Sequence, residues 1–215
     1  MIKIASSILS ANFNNLETDV INAIAAGSDL IHLDIMDGVF VPNITFGPCV
    51  VKSLPRIHPA EYDVHLMVTK PENQIQVFAE LGFENITFHI EATSEPDLCL
   101  KLIKDSHIKA SIGVNSGTPI STIEKYLDML DSVLVLTVTT GFGGQKLIES
   151  TIPKIEALKN KIIKRGLKTE VAADGGINKT NIKRLSSAGL DIATVGSAVF
   201  DQPDYHKAIQ ELKAL

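Results

Sequence analysis

Residues 30–38 read Leu-Ile-His-Leu-Asp-Ile-Met-Asp-Gly, an apolar run that carries a histidine and an aspartate two positions apart and stops at a turn pair. Side chains on a strand alternate between two faces, so His32 and Asp34 face the same way. Asp37-Gly38 supplies the turn, and Asp37 is read equally well as a structural residue. Two other short apolar runs carry the same kind of mark. His65 lies in Tyr-Asp-Val-His-Leu-Met-Val (62–68), and Asp174 ends Glu-Val-Ala-Ala-Asp before Gly175-Gly176. Each run reads as a buried strand that ends at a loop.

Working outward, the chain alternates short β-branched runs with longer helical patterns from end to end. The strand candidates are Lys3–Ser7, Leu30–Ile35, Tyr62–Val68, Asn85–His89, Lys109–Val114, Ser132–Val138, Thr169–Asp174 and Asp191–Val195. Helical spacing appears between them, for example at Ile120, Ile123, Leu127 and Leu130, and at Ile152, Ile155, Leu158 and Ile162. Thr118-Pro119 offers a capping hydroxyl and a proline at the first helical position, and Asn178 offers a cap after Asp-Gly-Gly-Ile. Gly27, Gly82 and Gly189 sit where helices end. Eight such units favour a closed parallel barrel, the (β/α)8 or TIM barrel, in one catalytic domain spanning 1–215. An open doubly wound sheet explains the eight-fold alternation less well. No G-x-G-x-x-G follows the first strand, so no nicotinamide or flavin is expected.

Composition bounds the partners. The net charge of −5, with basic residues scattered rather than clustered, argues against a nucleic-acid binder. No apolar run approaches the roughly 20 residues that span a bilayer. The opening Met-Ile-Lys-Ile-Ala-Ser-Ser-Ile-Leu-Ser lacks the basic region and long apolar stretch of a signal peptide. Cys49 and Cys99 are too few and too unpatterned for a disulfide framework. A reducing cytoplasm is the expected location, and barrels of this size often associate, so a homo-oligomer is expected.

In a barrel of this type, catalytic residues project from the C-terminal strand ends. His32, Asp34, His65 and Asp174 all lie there. Taken singly, a buried strand histidine is usually a hydrogen-bonded core residue, and an Asp before Gly-Gly is usually a turn residue. Their coincidence at one mouth changes the balance. Buried carboxylates need partners, and two imidazoles with two carboxylates form a four-ligand site for one divalent ion such as Zn, Fe, Mn or Co.

Three glycine loops follow the last three strands: Gly141-Phe142-Gly143-Gly144-Gln145, Gly175-Gly176 and Gly196-Ser197. Any one could be a tight turn. Three adjacent ones point to backbone N–H groups gathered around a phosphate, the usual use of the loops after strands seven and eight. No Lys or Arg falls within these loops, so amides are expected to do most of the anion binding. Met36 and Met67 flank the ligand candidates and would line the site, although methionine is more often a core gap-filler.

The strings Ser-Ser-Ile-Leu-Ser-Ala-Asn-Phe-Asn-Asn-Leu (6–16), His32 to Pro48, Asp63 to Val68, Phe88 to Ala92, Gly141 to Gln145, Ala173 to Ile177 and Val195 to Phe200 resemble the ribulose-phosphate 3-epimerase family, in this order and over nearly the whole chain. The resemblance implies that His32, Asp34, His65 and Asp174 bind the metal and that the two aspartates exchange the proton. It places Ser7 and His89 near the substrate, and Gly143, Gly144, Gly176, Gly196 and Ser197 in the phosphate grip. The chain departs from the usual family pattern in four places. Leu136 stands where a methionine would complete a trio with Met36 and Met67, and Thr140 stands where proline precedes the glycine loop. Ala173 replaces a common valine, and Val114-Asn115-Ser116 replaces an Asn-Pro pair.

The implied activity is C3 epimerisation between D-ribulose 5-phosphate and D-xylulose 5-phosphate through an enediolate, a reaction of the pentose phosphate pathway. The rival substrate is a ketohexose 6-phosphate such as D-allulose 6-phosphate. A decarboxylase of the orotidine-phosphate type would place a lysine between aspartates on strand two or three, whereas the position two after Asp34 here is Met36. A barrel that only binds a phosphorylated metabolite would have no use for the acid and base candidates.

Overall fold

The structure, a computed structural model, describes residues 2–214. Its strands are β1 (Lys3–Ser7), β2 (Leu30–Met36), β3 (Glu61–Met67), β4 (Asn85–His89), β5 (Lys109–Val114), β6 (Ser132–Leu136), β7 (Glu170–Asp174) and β8 (Ile192–Val195). Each pairs in parallel with the next, and β8 returns to β1 from Lys3↔Ile192 to Ser6↔Val195, so the sheet is a closed barrel. The (β/α)8 expectation is met. The open sheet is excluded, because neither β1 nor β8 keeps a free edge.

Both faces of β2 are buried along its whole length. Its outward face, Ile31, Leu33 and Ile35, joins the large core between the strands and the helices, with Val64 and Leu66 of β3. The inward side chains form a second, smaller core inside the barrel, where Ala5, Leu30, Leu134, Leu136, Ala172 and Ile192 pack together. Full burial of one Leu or Ile contributes about 1.5–3 kcal/mol, so the double coverage explains why these strands read as apolar runs. Above that inner core the inward positions turn polar, and the site begins there.

The outer layer comprises α1 (Leu16–Ala25), α2 (Pro48–Val51), α3 (Glu72–Ala79), α4 (Pro96–Asp105), α5 (Thr151–Lys164), α6 (Ile182–Ser187), α7 (Ser197–Phe200) and α8 (Tyr205–Lys213). α5 buries Ile155, Leu158 and Ile162 on one stripe, as its spacing indicates. Gly27, Gly82 and Gly189 end helical segments with φ of 102°, 73° and 95°. The segment after β5 differs from the sequence reading. It forms two 3₁₀ stretches, Ile120–Thr122 and Glu124–Met129, rather than an α-helix. Pro119 is extended (ψ 145°), and the Thr118 hydroxyl donates to Glu91 instead of capping a helix. The apolar spacing still serves, since Ile123, Tyr126 and Leu127 are buried on the tighter turn. Asn178 caps only the turn ahead of α6: its Oδ1 accepts the Thr180 N–H at 2.9 Å, and the helix itself starts at Ile182. β6 stops two residues short of the expected Val138 because Thr137 turns aside. Its hydroxyl donates to the Asp174 carbonyl at 2.9 Å, and its own carbonyl accepts the Ile148 N–H at 2.7 Å.

The N-terminal floor of the barrel repeats one device four times. An acidic side chain that precedes an even-numbered strand accepts an N–H from the strand before it. Asp29 takes Ile4, Glu84 takes Tyr62, Asp131 takes Ala110 and Asp191 takes Val171, each at 2.8 Å. These carboxylates tie neighbouring strands at the end remote from the mouth. Among the described residues no helix is long and apolar enough to cross a membrane, and Cys49 and Cys99 are both free.

Candidate active site

The register of β2 against β3 builds the centre. His32 lies opposite Asp63, and Asp34 lies opposite His65, so an imidazole meets a carboxylate on two successive inward rungs. His32 Nε2 is 3.2 Å from Asp34 Oδ1 and 3.2 Å from His65 Nδ1, while His65 Nδ1 is 3.0 Å from Asp34 Oδ1. Asp174 arrives from the end of β7 and brings Oδ2 to 4.0 Å from His32 Nε2 and 3.8 Å from His65 Nδ1. One ligand atom from each of the four residues lies within 4.8 Å of every other. This set of two nitrogens and two carboxylate oxygens could hold one divalent ion.

Burial makes these groups act on one another strongly. It works against ionisation of Asp34, but the His32 and His65 rings hold that carboxyl well below the usual range. Burial and the negative charge of Asp34 push Asp174 the other way, up to about 7. Burial also opposes a charge on His32, yet Asp34 and Asp63 raise its pKa well above the ordinary imidazole value. Burial lowers His65 to about 4, with the His89 and His32 rings adding to the effect against the bond from Asp34. Two aspartates that share a site thus prefer opposite protonation states.

A cleft of about 820 Å³ opens above this cluster, and Asp34 and Asp174 reach it. Ser7 lines it and donates to Asp34 Oδ2 at 2.6 Å. Met36, Met67 and Leu136 form an apolar side of the same cleft. On the far side stand Gly141, Gly143 and Gly144 of the β6 loop, Gly175 and Gly176 after β7, and Gly196 with Ser197 after β8. Gly176 permits no larger residue. It has φ of 68°, and a Cβ there would lie 2.4 Å from the backbone nitrogen of Leu147. The β6 loop is held by the Asn43 amide, which donates to the Gly141 carbonyl at 3.1 Å, and by the Thr140 hydroxyl, which donates to Asn115 Oδ1. Two of the departures from the family pattern, Thr140 and Asn115, therefore meet each other.

The structure places His89 one layer behind the cleft. It is fully buried, its Nε2 lies 2.8 Å from His65 Nε2, and Phe40 covers its ring. Asp37 is structural: its carboxylate accepts the N–H groups of Val39, Phe40 and Thr69 at 2.8–2.9 Å and so pins the β2 loop to β3. Two basic side chains join the glycine loops, one of them the residue that directly follows Gln145. Lys146 and Arg184 line the cleft, the latter paired with Glu149 at 2.6 Å. Arg184 comes from α6, far along the chain, so no local pattern marks it. Asp63 was open to detection, because it stands two residues before His65 on the same strand face, the mirror of His32 and Asp34.

A family model described as the ribulose-phosphate 3 epimerase family matches residues 3–200. The chain belongs to that family. It is 43% identical over 212 residues to a ribulose-phosphate 3-epimerase of Escherichia coli (strain K12), covering 98% of this chain and 94% of the relative. It is 42% identical over 214 residues to the enzyme of the same name from Bacillus subtilis (strain 168), covering 99% of each. The protein is therefore an isomerase of the epimerase kind. Solved structures extend the likeness to the fold alone. KGPDC from Streptococcus mutans superposes with a TM-score of 0.74 at 14% identity, over 100% of this chain and 96% of that one. The 3-hexulose-6-phosphate synthase from Salmonella typhimurium gives 0.74 at 16% identity, over 99% and 97%.

Proposed function

We propose that this epimerase interconverts D-ribulose 5-phosphate and D-xylulose 5-phosphate by moving the C3 proton through an enediolate, with Asp34 and Asp174 acting on opposite faces. The observation that carries this reading is the approach of two aspartates, from β2 and from β7, to one pair of imidazoles with their pKa values driven apart. Such a split is how paired carboxyl groups divide acid and base work. Asp34, kept ionised, removes the proton α to the ketone from one side. Asp174, which burial keeps protonated into the neutral range, delivers a proton to the other. For the reverse epimer the roles exchange. Ser7 orients the Asp34 carboxylate through its 2.6 Å hydrogen bond.

His32, Asp34, His65 and Asp174 would hold a divalent ion, which when bound supplies Lewis-acid stabilisation of charge developing on the substrate oxygens. Met36, Met67 and Leu136 keep water from the planar intermediate. Gly141, Gly143, Gly144, Gly175, Gly176, Gly196 and Ser197 receive the phosphate with their backbone N–H groups, and Lys146 and Arg184 add a favourable field. The substrate is a small sugar phosphate, and the reaction belongs to pentose phosphate metabolism.

Proton NMR in D₂O tests this. Metal-replete protein incubated with D-ribulose 5-phosphate should give xylulose 5-phosphate with deuterium at C3. Exchange with D-allulose 6-phosphate alone would transfer the assignment to the hexose substrate, and silence with both would refute it.

A further inference from the structure

Once the cluster binds an ion, two carboxylates outside it leave the imidazoles one arrangement of ring protons. Asp63 Oδ2 lies 2.8 Å from His32 Nδ1. Its other oxygen already accepts Asn85 Nδ2 at 2.6 Å and Thr87 Oγ1 at 3.2 Å. An ionised carboxylate only accepts, so His32 Nδ1 must carry a proton toward Asp63, and the Nε2 proton is the one the ring gives up when the cluster takes an ion. On the other side the chain is longer. Glu91 Oε1 accepts the Asn115 N–H at 2.8 Å and the Thr118 hydroxyl, and Oε2 lies 3.2 Å from His89 Nδ1. His89 Nδ1 therefore carries a proton toward Glu91, its Nε2 accepts from His65 Nε2 at 2.8 Å, and His65 presents Nδ1 to the cluster.

We infer that Asp63 and Glu91 are positioning residues that hold the two histidine ligands in opposite ring tautomers: His32 as the Nδ1–H form directly, and His65 as the Nε2–H form through His89. The inference rests on the reading that the cluster holds a divalent ion. The geometry supplies the reason for the pairing. The two nitrogens that face each other at 3.2 Å are His32 Nε2 and His65 Nδ1, and neither can carry a proton if both are to bind one ion. A carboxylate behind a ligating imidazole fixes its orientation and raises its basicity. The two supports differ in exposure. The Asp63 side chain keeps 10% of its surface in solvent, whereas the Glu91 side chain keeps 23%. Asp63 is the stronger of the pair.

The test uses Zn²⁺-loaded protein and long-range proton–nitrogen NMR of the assigned histidine rings, beside calorimetric Zn²⁺ affinity. The expected spectrum shows protonated Nδ1 on His32 and His89, protonated Nε2 on His65, and metal-bound nitrogens at His32 Nε2 and His65 Nδ1. Asp63→Asn keeps the side chain's shape, and an amide turn at Asn85 restores its partner, so the fold survives. Its Zn²⁺ affinity should fall about 10–100-fold. Glu91→Gln, at the surface end of the longer chain, should lose less than about tenfold. The opposite tautomer at either ligand, or unchanged affinity in both variants, would overturn the inference while leaving the metal reading intact. Wild-type protein that takes up no Zn²⁺, Mn²⁺, Co²⁺ or Fe²⁺ would overturn the metal reading, and this inference with it.

Discussion

Carboxylates ring both ends of this barrel and do different work at each. At the floor, Asp29, Glu84, Asp131 and Asp191 keep part of their surface in solvent and accept backbone N–H groups, so each binds one strand to its neighbour. At the mouth, the His32 and His65 rings hold the Asp34 carboxyl low, while burial and the Asp34 charge raise Asp174, so their pKa values part. Asp63 lies between the two in depth and in kind: buried like the mouth residues, but saturated with donors like those of the floor. The comparison teaches that an aspartate's role is set by its partners and its exposure to water, and that one side-chain type serves as strand clamp, ligand support and proton carrier within one sheet.

The largest break in that comparison should come at the mouth. Asp34→Asn and Asp174→Asn each remove a proton carrier while keeping shape, and epimerisation should fall by about 10²–10⁴-fold with the circular dichroism spectrum unchanged. Near-normal turnover in either metal-replete variant would end the two-carboxylate scheme. The floor should respond in the opposite sense. Asp191→Ala removes the acceptor of Val171 N–H at 2.8 Å and the partner of Lys159 at 2.6 Å. Unfolding stability should drop by about 1–3 kcal/mol, measured by urea titration, while kcat/KM stays near the parent value. A parallel loss of activity would mean that the floor of β7 controls the placement of Asp174 at its other end. The smallest effect belongs to the apolar wall between the two zones. Leu136→Met conserves volume, so stability should change by less than about 1.5 kcal/mol and kcat by a few-fold at most. A larger change in kcat would make that wall part of the chemistry.

Much of this was open to reading in the primary text. His32, Asp34, His65 and Asp174 are visible because charged residues interrupt apolar strands, where an unpartnered charge is costly. The glycine loops are visible by their order after three successive strands. The 3₁₀ segments after β5 were not, because apolar spacing at 120, 123, 127 and 130 fits either helix, and the choice turned on where Thr118 found its partner. Asp63 could be picked out by its place two residues before His65, but its partner could not. A lone aspartate beside a histidine on a strand says nothing of which neighbour it meets, until the register of β2 against β3 is known.

The order of residues along the chain sufficed for the alternation of strands and helices, the closure expected of eight such units, and the residue types gathered at the C-terminal ends. Those follow from local periodicity and from the energetic cost of burying polar groups. Folding alone settles which carboxylate faces which imidazole, that His89 stands behind His65 rather than in the cleft, and that Arg184 comes near the glycine loops. Each of these depends on contacts between segments tens of residues apart. Strand register and helix placement set such contacts, and neither is written into a local stretch of chain.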